Sequence, residues 1–95
     1  MRKSIALLLL PCALAAQDAL ALSDCPKAPK EKWLPILEMQ KKIVNEYGFA
    51  IKKFHKSGNC YEIYGWGPNK VRTQMVEIEV YFNPVNGEIV ELNYE

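Results

Sequence analysis

From Pro35 to Tyr47 the residues Ile36, Leu37, Gln40, Ile43, Val44 and Tyr47 recur at intervals of three and four, giving one mostly apolar stripe. That spacing predicts an amphipathic helix over Pro35–Tyr47. Pro35 suits the first turn, where its missing N–H costs nothing, and Gly48 supplies a C-terminal stop. After Gly48 the period changes to two, and β-branched and aromatic residues take over. Phe49–Lys56 reads as a first strand whose alternation is imperfect, because Ile51 and Phe54 face opposite ways unless a bulge separates them. Ser57-Gly58-Asn59 is a short turn into a second strand, Cys60–Trp66, so these strands form an antiparallel hairpin. The run Gly65-Trp66-Gly67-Pro68-Asn69 breaks the pattern, and Lys70–Gln74 follows as a polar loop or a ragged strand extension. Met75–Phe82 alternates most clearly, with Val76, Ile78, Val80 and Phe82 on one side and Glu77, Glu79 and Tyr81 on the other. Asn83-Pro84-Val85-Asn86-Gly87 is a tight turn, and Glu88–Tyr94 closes the sheet. The expected fold is α+β: one N-terminal amphipathic helix packed on a curved antiparallel sheet of about four strands.

The stretch before the helix divides in two. Ser23–Lys32 is rich in Pro and Lys, and Pro26 and Pro29 keep it extended. Residues 1–21 have the layout of a secretory signal peptide: Arg2 and Lys3, then the apolar run Ile5–Leu10, then small residues at Ala13, Ala15, Ala16, Ala19 and Ala21. Cleavage is expected after Ala21, or else after Ala15 or Ala16, which leaves a single domain over 22–95. The apolar run is too short for a membrane span, which needs about 20 such residues. Cys12 also raises a lipoprotein reading, but Pro11 fits poorly before a lipidated cysteine, so Cys12 is expected to leave with the leader.

Cleavage changes both the charge and the cysteine count. It removes Arg2, Lys3 and Asp18 and leaves ten basic and ten acidic residues, a balance that gives no broad field for attracting nucleic acid or anionic lipid. Cys25 and Cys60 are then the only cysteines, in an oxidising compartment, and are expected to form a disulfide. Closing a loop of that length stabilises a fold by roughly 3–4 kcal/mol. Redox chemistry would need a C-x-x-C pair, and a metal site would need more ligands.

Candidate chemistry gathers on the outward side of the sheet, where Glu62, Tyr64, Glu77, Glu79, Tyr81 and Glu91 fall together. A carboxylate cluster invites a glycosidase or metal reading. Alternating glutamates also mark any half-solvated sheet, here with Lys52, Lys53 and Lys56 as cross-strand partners. Neither catalytic nor metal-ligating residues are assigned, and no cofactor is implied. His55 has neither a nucleophile nor a second ligand beside it in sequence and reads as an exposed strand residue. Trp66, between Gly65 and Gly67, is either an aromatic anchor on a mobile loop or a ring folded back over the sheet edge. Trp33 is expected to pack between the lead-in and the sheet.

Three runs carry a family resemblance: Gly48-Phe49-Ala50-Ile51-Lys52-Lys53-Phe54, Gly58-Asn59-Cys60-Tyr61-Glu62-Ile63-Tyr64-Gly65, and Glu79–Val90 with its Tyr81-Phe82-Asn83-Pro84-Val85-Asn86-Gly87 core. They resemble the PepSY family, and more closely its short exported, periplasmic or secreted members, over about residues 25–92. The stretch from Trp66 to Gln74 is longer than in those members. The resemblance implies a helix on an antiparallel sheet, no catalytic residues, and association with secreted peptidases, through their restraint or through peptide binding at the cell envelope. The expectation is a non-catalytic binding module for a protein or peptide, such as a protease. Its partner-binding residues would be Trp66, Tyr64, Tyr81, Glu62 and Glu79. The competing expectation is a small-molecule or metal carrier that uses the helix–sheet concavity or the carboxylate face. The oligomeric state is not legible.

Overall fold

The computed structural model describes residues 24–95, so the expected leader, its cleavage positions and Cys12 lie outside the described residues. Helix α1 spans Ile36–Asn45, shorter than expected at both ends. Pro35 stands just before it with extended backbone, and its carbonyl accepts the Met39 N–H at 2.9 Å. Gly48 takes φ +74°, the left-handed conformation that ends a helix at little cost to glycine. The chain then turns back so that Phe49 N–H reaches the Ile43 carbonyl at 3.2 Å.

The buried stripe of α1 is rotated from the expected one. Met39 and Ile43 are fully buried, whereas Ile36, Leu37 and Val44 are 47%, 62% and 49% exposed. At about 100° per residue, Leu37 and Val44 sit roughly 100–160° round from the Met39–Ile43 line. A single helix on a sheet has one neighbour, and it buries the row that meets the strands.

The strands are β1 (Ala50–Ser57), β2 (Cys60–Pro68), β3 (Met75–Phe82) and β4 (Ile89–Tyr94), antiparallel in the order β1-β2-β3-β4. The fold is therefore the expected α+β arrangement of one helix on a four-stranded antiparallel sheet. The bulge required by Ile51 and Phe54 is present: the β1–β2 register shifts between Ile51 and Lys53, placing Ile51 opposite Gly65 and Phe54 opposite Ile63 on one face. A second shift at Tyr81/Phe82 lets Ile89 and Leu92 both meet the core.

One element differs from expectation. The run Gly65–Pro68 continues β2, with Trp66 opposite Ala50 and Glu77, so Trp66 lies within a strand and not on a loop. Its flanking glycines answer to packing. A Cβ on Gly67 would stand 2.6 Å from Ile78 Cδ1 and 2.8 Å from Phe49 Cδ1, and one on Gly65 would run into the Ala50 carbonyl. Glycine in a strand here permits close approach and does not mark a break. The reversal at Asn69–Gln74 is held by Asn69, whose N–H bonds to the Gln74 carbonyl and whose Oδ1 accepts the Thr73 N–H, both at 2.9 Å.

The core fills the space between α1 and the sheet with Met39, Ile43, Phe49, Ile63, Ile78, Val80 and Phe82, closed at one end by Trp33 and Tyr61. Burying each large side chain contributes about 2–3 kcal/mol. The lead-in is fastened over the open end of the core. It makes a short 3-10 turn at Lys30–Lys32, and the Trp33 ring meets Tyr61 edge-on at 5.1 Å. Trp33 Nε1 donates to the Ala28 carbonyl at 3.0 Å, and Tyr61 Oη donates to the Leu34 carbonyl at 2.7 Å. Cys25 and Cys60 are bridged with Cα atoms 5.3 Å apart and a sequence separation of 35. Trp33 thus packs between lead-in and sheet, as expected.

Candidate functional site

Alternation along four strands that are covered on one side only leaves a second, uncovered face. The register sets out its rows: His55–Glu62–Tyr81–Glu91, Lys53–Tyr64–Glu79–Asn93, and Ala50–Trp66–Glu77. Four of the five expected partner-binding residues, Glu62, Tyr64, Glu79 and Tyr81, thereby meet in two adjacent rows. Trp66 extends the same face one row further, half-buried, with Lys52 Nζ 5.9 Å from its ring centroid. Cys60, opposite Ser57, lies one row beyond Glu62 on the same side of β2, and its disulfide partner Cys25 has its Sγ 3.3 Å from the Phe82 oxygen at the C-terminal end of β3.

Side chains on this face form a connected polar network. His55 Nε2 lies 2.8 Å from Glu62 Oε1. Tyr81 Oη donates to Glu79 Oε2 at 2.8 Å, and Asn93 Nδ2 donates to Glu91 Oε2 at 3.0 Å and, more weakly, to Glu79 Oε1 at 3.4 Å. The His55 and Tyr64 rings meet edge-on at 6.1 Å. Glu62 is the unusual member. It is only 4% exposed, and its side chain meets those of Glu79 and Tyr64 as well as His55.

The electrostatics follow from this crowding. Interaction with the Glu62 side chain, helped by Tyr81, Asn93 and Tyr64, holds the Glu79 carboxyl below the usual range, against the burial that pushes it up. The Tyr64 phenol is raised, first by the charge of Glu62 and then by Glu79. The centre of the face is therefore rich in acceptors and walled by tyrosines, a setting suited to a donor or a cation. Beside it, a shallow depression of about 330 Å³ has Lys52 and Lys53 on one rim, Tyr64 in the middle, and Glu77 and Glu95 on the other rim. Among the described residues, no group of three or more His, Cys, Asp or Glu is placed to hold a metal ion.

The sequence profile of one family, described as peptidase propeptide and YPEB domain, matches residues 5–93. The chain belongs to this PepSY_2 family. The match takes in the whole described PepSY domain up to Asn93, including the network face, and it agrees with the resemblance carried by the three sequence runs. No curated protein and no solved structure matches the chain.

Sequence reasoning missed two members of this PepSY face. With Ser57 opposite Cys60, counting outward along both arms of the hairpin places His55 against Glu62, a pairing that the turn position already contained. Asn93 became visible as a linker between Glu79 and Glu91 only through the β3–β4 register.

Proposed function

We propose that this PepSY protein is an exported, non-catalytic binding module of the cell envelope, periplasmic or secreted, which holds a protein or peptide on its uncovered sheet face and restrains a secreted peptidase. The observation that carries the reading is the tyrosine-walled network of Glu62, Glu79, Tyr64 and Tyr81, with His55 and Asn93, on the side of the sheet away from the helix. Family membership supports it, since the family takes its description from peptidase propeptides. The Cys25–Cys60 bridge supports an extracytoplasmic location, because such bonds persist in oxidising compartments. No helix among the described residues is long and apolar enough to cross a membrane. Tyr64 and Trp66 supply rigid aromatic contact area of the kind that anchors interfaces.

A pull-down from envelope extract tests this reading. Wild type is expected to retain a defined set of proteins, a peptidase among them, that Tyr64→Ser and Glu79→Lys each lose. Recovery of the same set by both variants would remove the open face from the proposal.

The small-molecule reading is favoured by one feature, the depression with lysines on one rim and carboxylates on the other. It predicts a rise in melting temperature with a zwitterionic envelope metabolite. A screen of such compounds with no shift would dispose of it.

A further inference from the structure

The sheet ends in two unpaired edges, and only one of them is guarded. At the β1 edge, the bulge at Lys52 interrupts the regular run, and Lys52, Lys53 and Lys56 place ammonium groups along it. Bulges and lysines are the usual means of keeping other chains off an edge. The β4 edge has neither lysine nor proline, and beyond its bulge at Val90 the run Glu91–Tyr94 is regular.

The direction of its backbone groups follows from one hydrogen bond. Glu95 N–H donates to the Glu77 carbonyl at 3.0 Å. Alternation along an antiparallel ladder then makes Glu79–Asn93 and Tyr81–Glu91 the hydrogen-bonded pairs. The N–H and C=O groups of Leu92 and Tyr94 consequently point away from β3, toward solvent. On the uncovered side this edge shows Glu91 and Asn93, continued by Glu95. On the helix side it shows half-buried Leu92 and, 42% exposed, Tyr94.

We infer that β4 is a docking edge for an extended peptide segment that alternates basic and apolar residues, the basic ones lying beside Glu91 and Glu95 and the apolar ones beside Leu92 and Tyr94. This deepens the proposed function and rests on it, because the added strand would widen the uncovered face. Two arguments select this occupant. Carboxylates of Glu77, Glu79, Glu91 and Glu95 dominate the uncovered face near β4, whereas Lys70 has its Nζ 5.6 Å from the ring centroid of Tyr94, a residue of the helix side. A second copy of this chain, paired antiparallel through β4, would bring its own Glu91 and Glu95 onto the same face, and like charges in neighbouring strands repel. Strand addition of this kind draws its affinity from main-chain bonds and its selectivity from the alternate side chains.

The test uses a synthetic peptide of about six residues alternating lysine and valine, a typical strand length, with a glutamate–valine peptide as control. On adding the lysine peptide to the isotope-labelled protein, amide exchange is expected to slow at Leu92 and Tyr94 and to stay unchanged at Phe54 and Lys56 on β1. Glu91→Lys should weaken the lysine peptide at least about tenfold and improve binding of the glutamate peptide, while the melting temperature stays near wild type. Failure of the lysine peptide to bind, equal binding of both peptides, or protection confined to β1 would each overturn the inference. If envelope partners still depend on Tyr64 while the β4 amides stay unprotected, the edge assignment falls and the open-face reading stands. Partners indifferent to Tyr64 would instead remove the open-face reading itself.

Discussion

The two faces of this sheet come from alternate residues of the same strands, yet they answer to different constraints. The covered face is apolar and complete: Ile63, Ile78, Val80 and Phe82 are at most 1% exposed, against a helix that offers Met39 and Ile43. The uncovered face carries tyrosines, glutamates and a histidine, joined in a polar network around the nearly buried Glu62. The difference separates residues that hold the fold from residues that the fold holds out.

Substitutions on the two faces should therefore separate stability from binding. The largest stability effect is expected at Phe82, fully buried in the core and in contact with the Tyr47 ring at 5.7 Å. Phe82→Ala should cost roughly 3–5 kcal/mol in urea unfolding. A cost below about 1 kcal/mol would mean that the helix does not seal this face.

Next comes the staple at the core's open end. Replacing both cysteines, Cys25→Ser with Cys60→Ser, should lower stability by roughly 3–4 kcal/mol on the chain-entropy relation and shift tryptophan emission to the red as Trp33 loosens from Tyr61. Unchanged emission and stability would show that the contacts of Ala28 and Leu34 hold the lead-in without the bridge.

The smallest effect belongs to the uncovered face and depends on pH. Because the Glu79 carboxyl titrates lower in the folded state than in the unfolded chain, the folded state binds fewer protons between the two values. Its contribution is complete above the unfolded value, about 4.3 for glutamate, and is lost as pH falls through the lower folded value. Glu79→Gln should thus flatten the acid limb of the stability curve below about pH 4.3. The half-solvated position keeps the change at neutral pH within about 1 kcal/mol. An acid limb identical to wild type would remove Glu79 from the network.

Much of the covered face was legible from the sequence, and the reasons are physical. The alternation in Met75–Phe82 has one stable solution, and the Ile51/Phe54 mismatch demanded the bulge that is found. The cysteine pair followed from counting what a cleaved leader would leave. Two features were misread because the same residue type serves opposite ends. Gly65 and Gly67 resemble a break, but they are small because Ala50, Phe49 and Ile78 press against them. Leu37 and Val44 resemble core residues, but the sheet meets the helix along Met39 and Ile43, and a single helix has no second neighbour to bury the rest. On the uncovered face, residue types were readable and partnerships were not. His55 with Glu62, and Asn93 with Glu79 and Glu91, exist only through register between strands.

The division between the two faces is tested most directly by site-specific photocrosslinking in living cells, with a photoreactive residue placed at Tyr64 on the uncovered face or at Val44 on the solvent side of α1. Both positions are exposed, at 38% and 49%, so access alone does not distinguish them. Discrete protein adducts from position 64 and none from position 44 are the expected result. Adducts from position 44 with none from position 64 would place the partner on the helix and contradict a functional role for the uncovered sheet face.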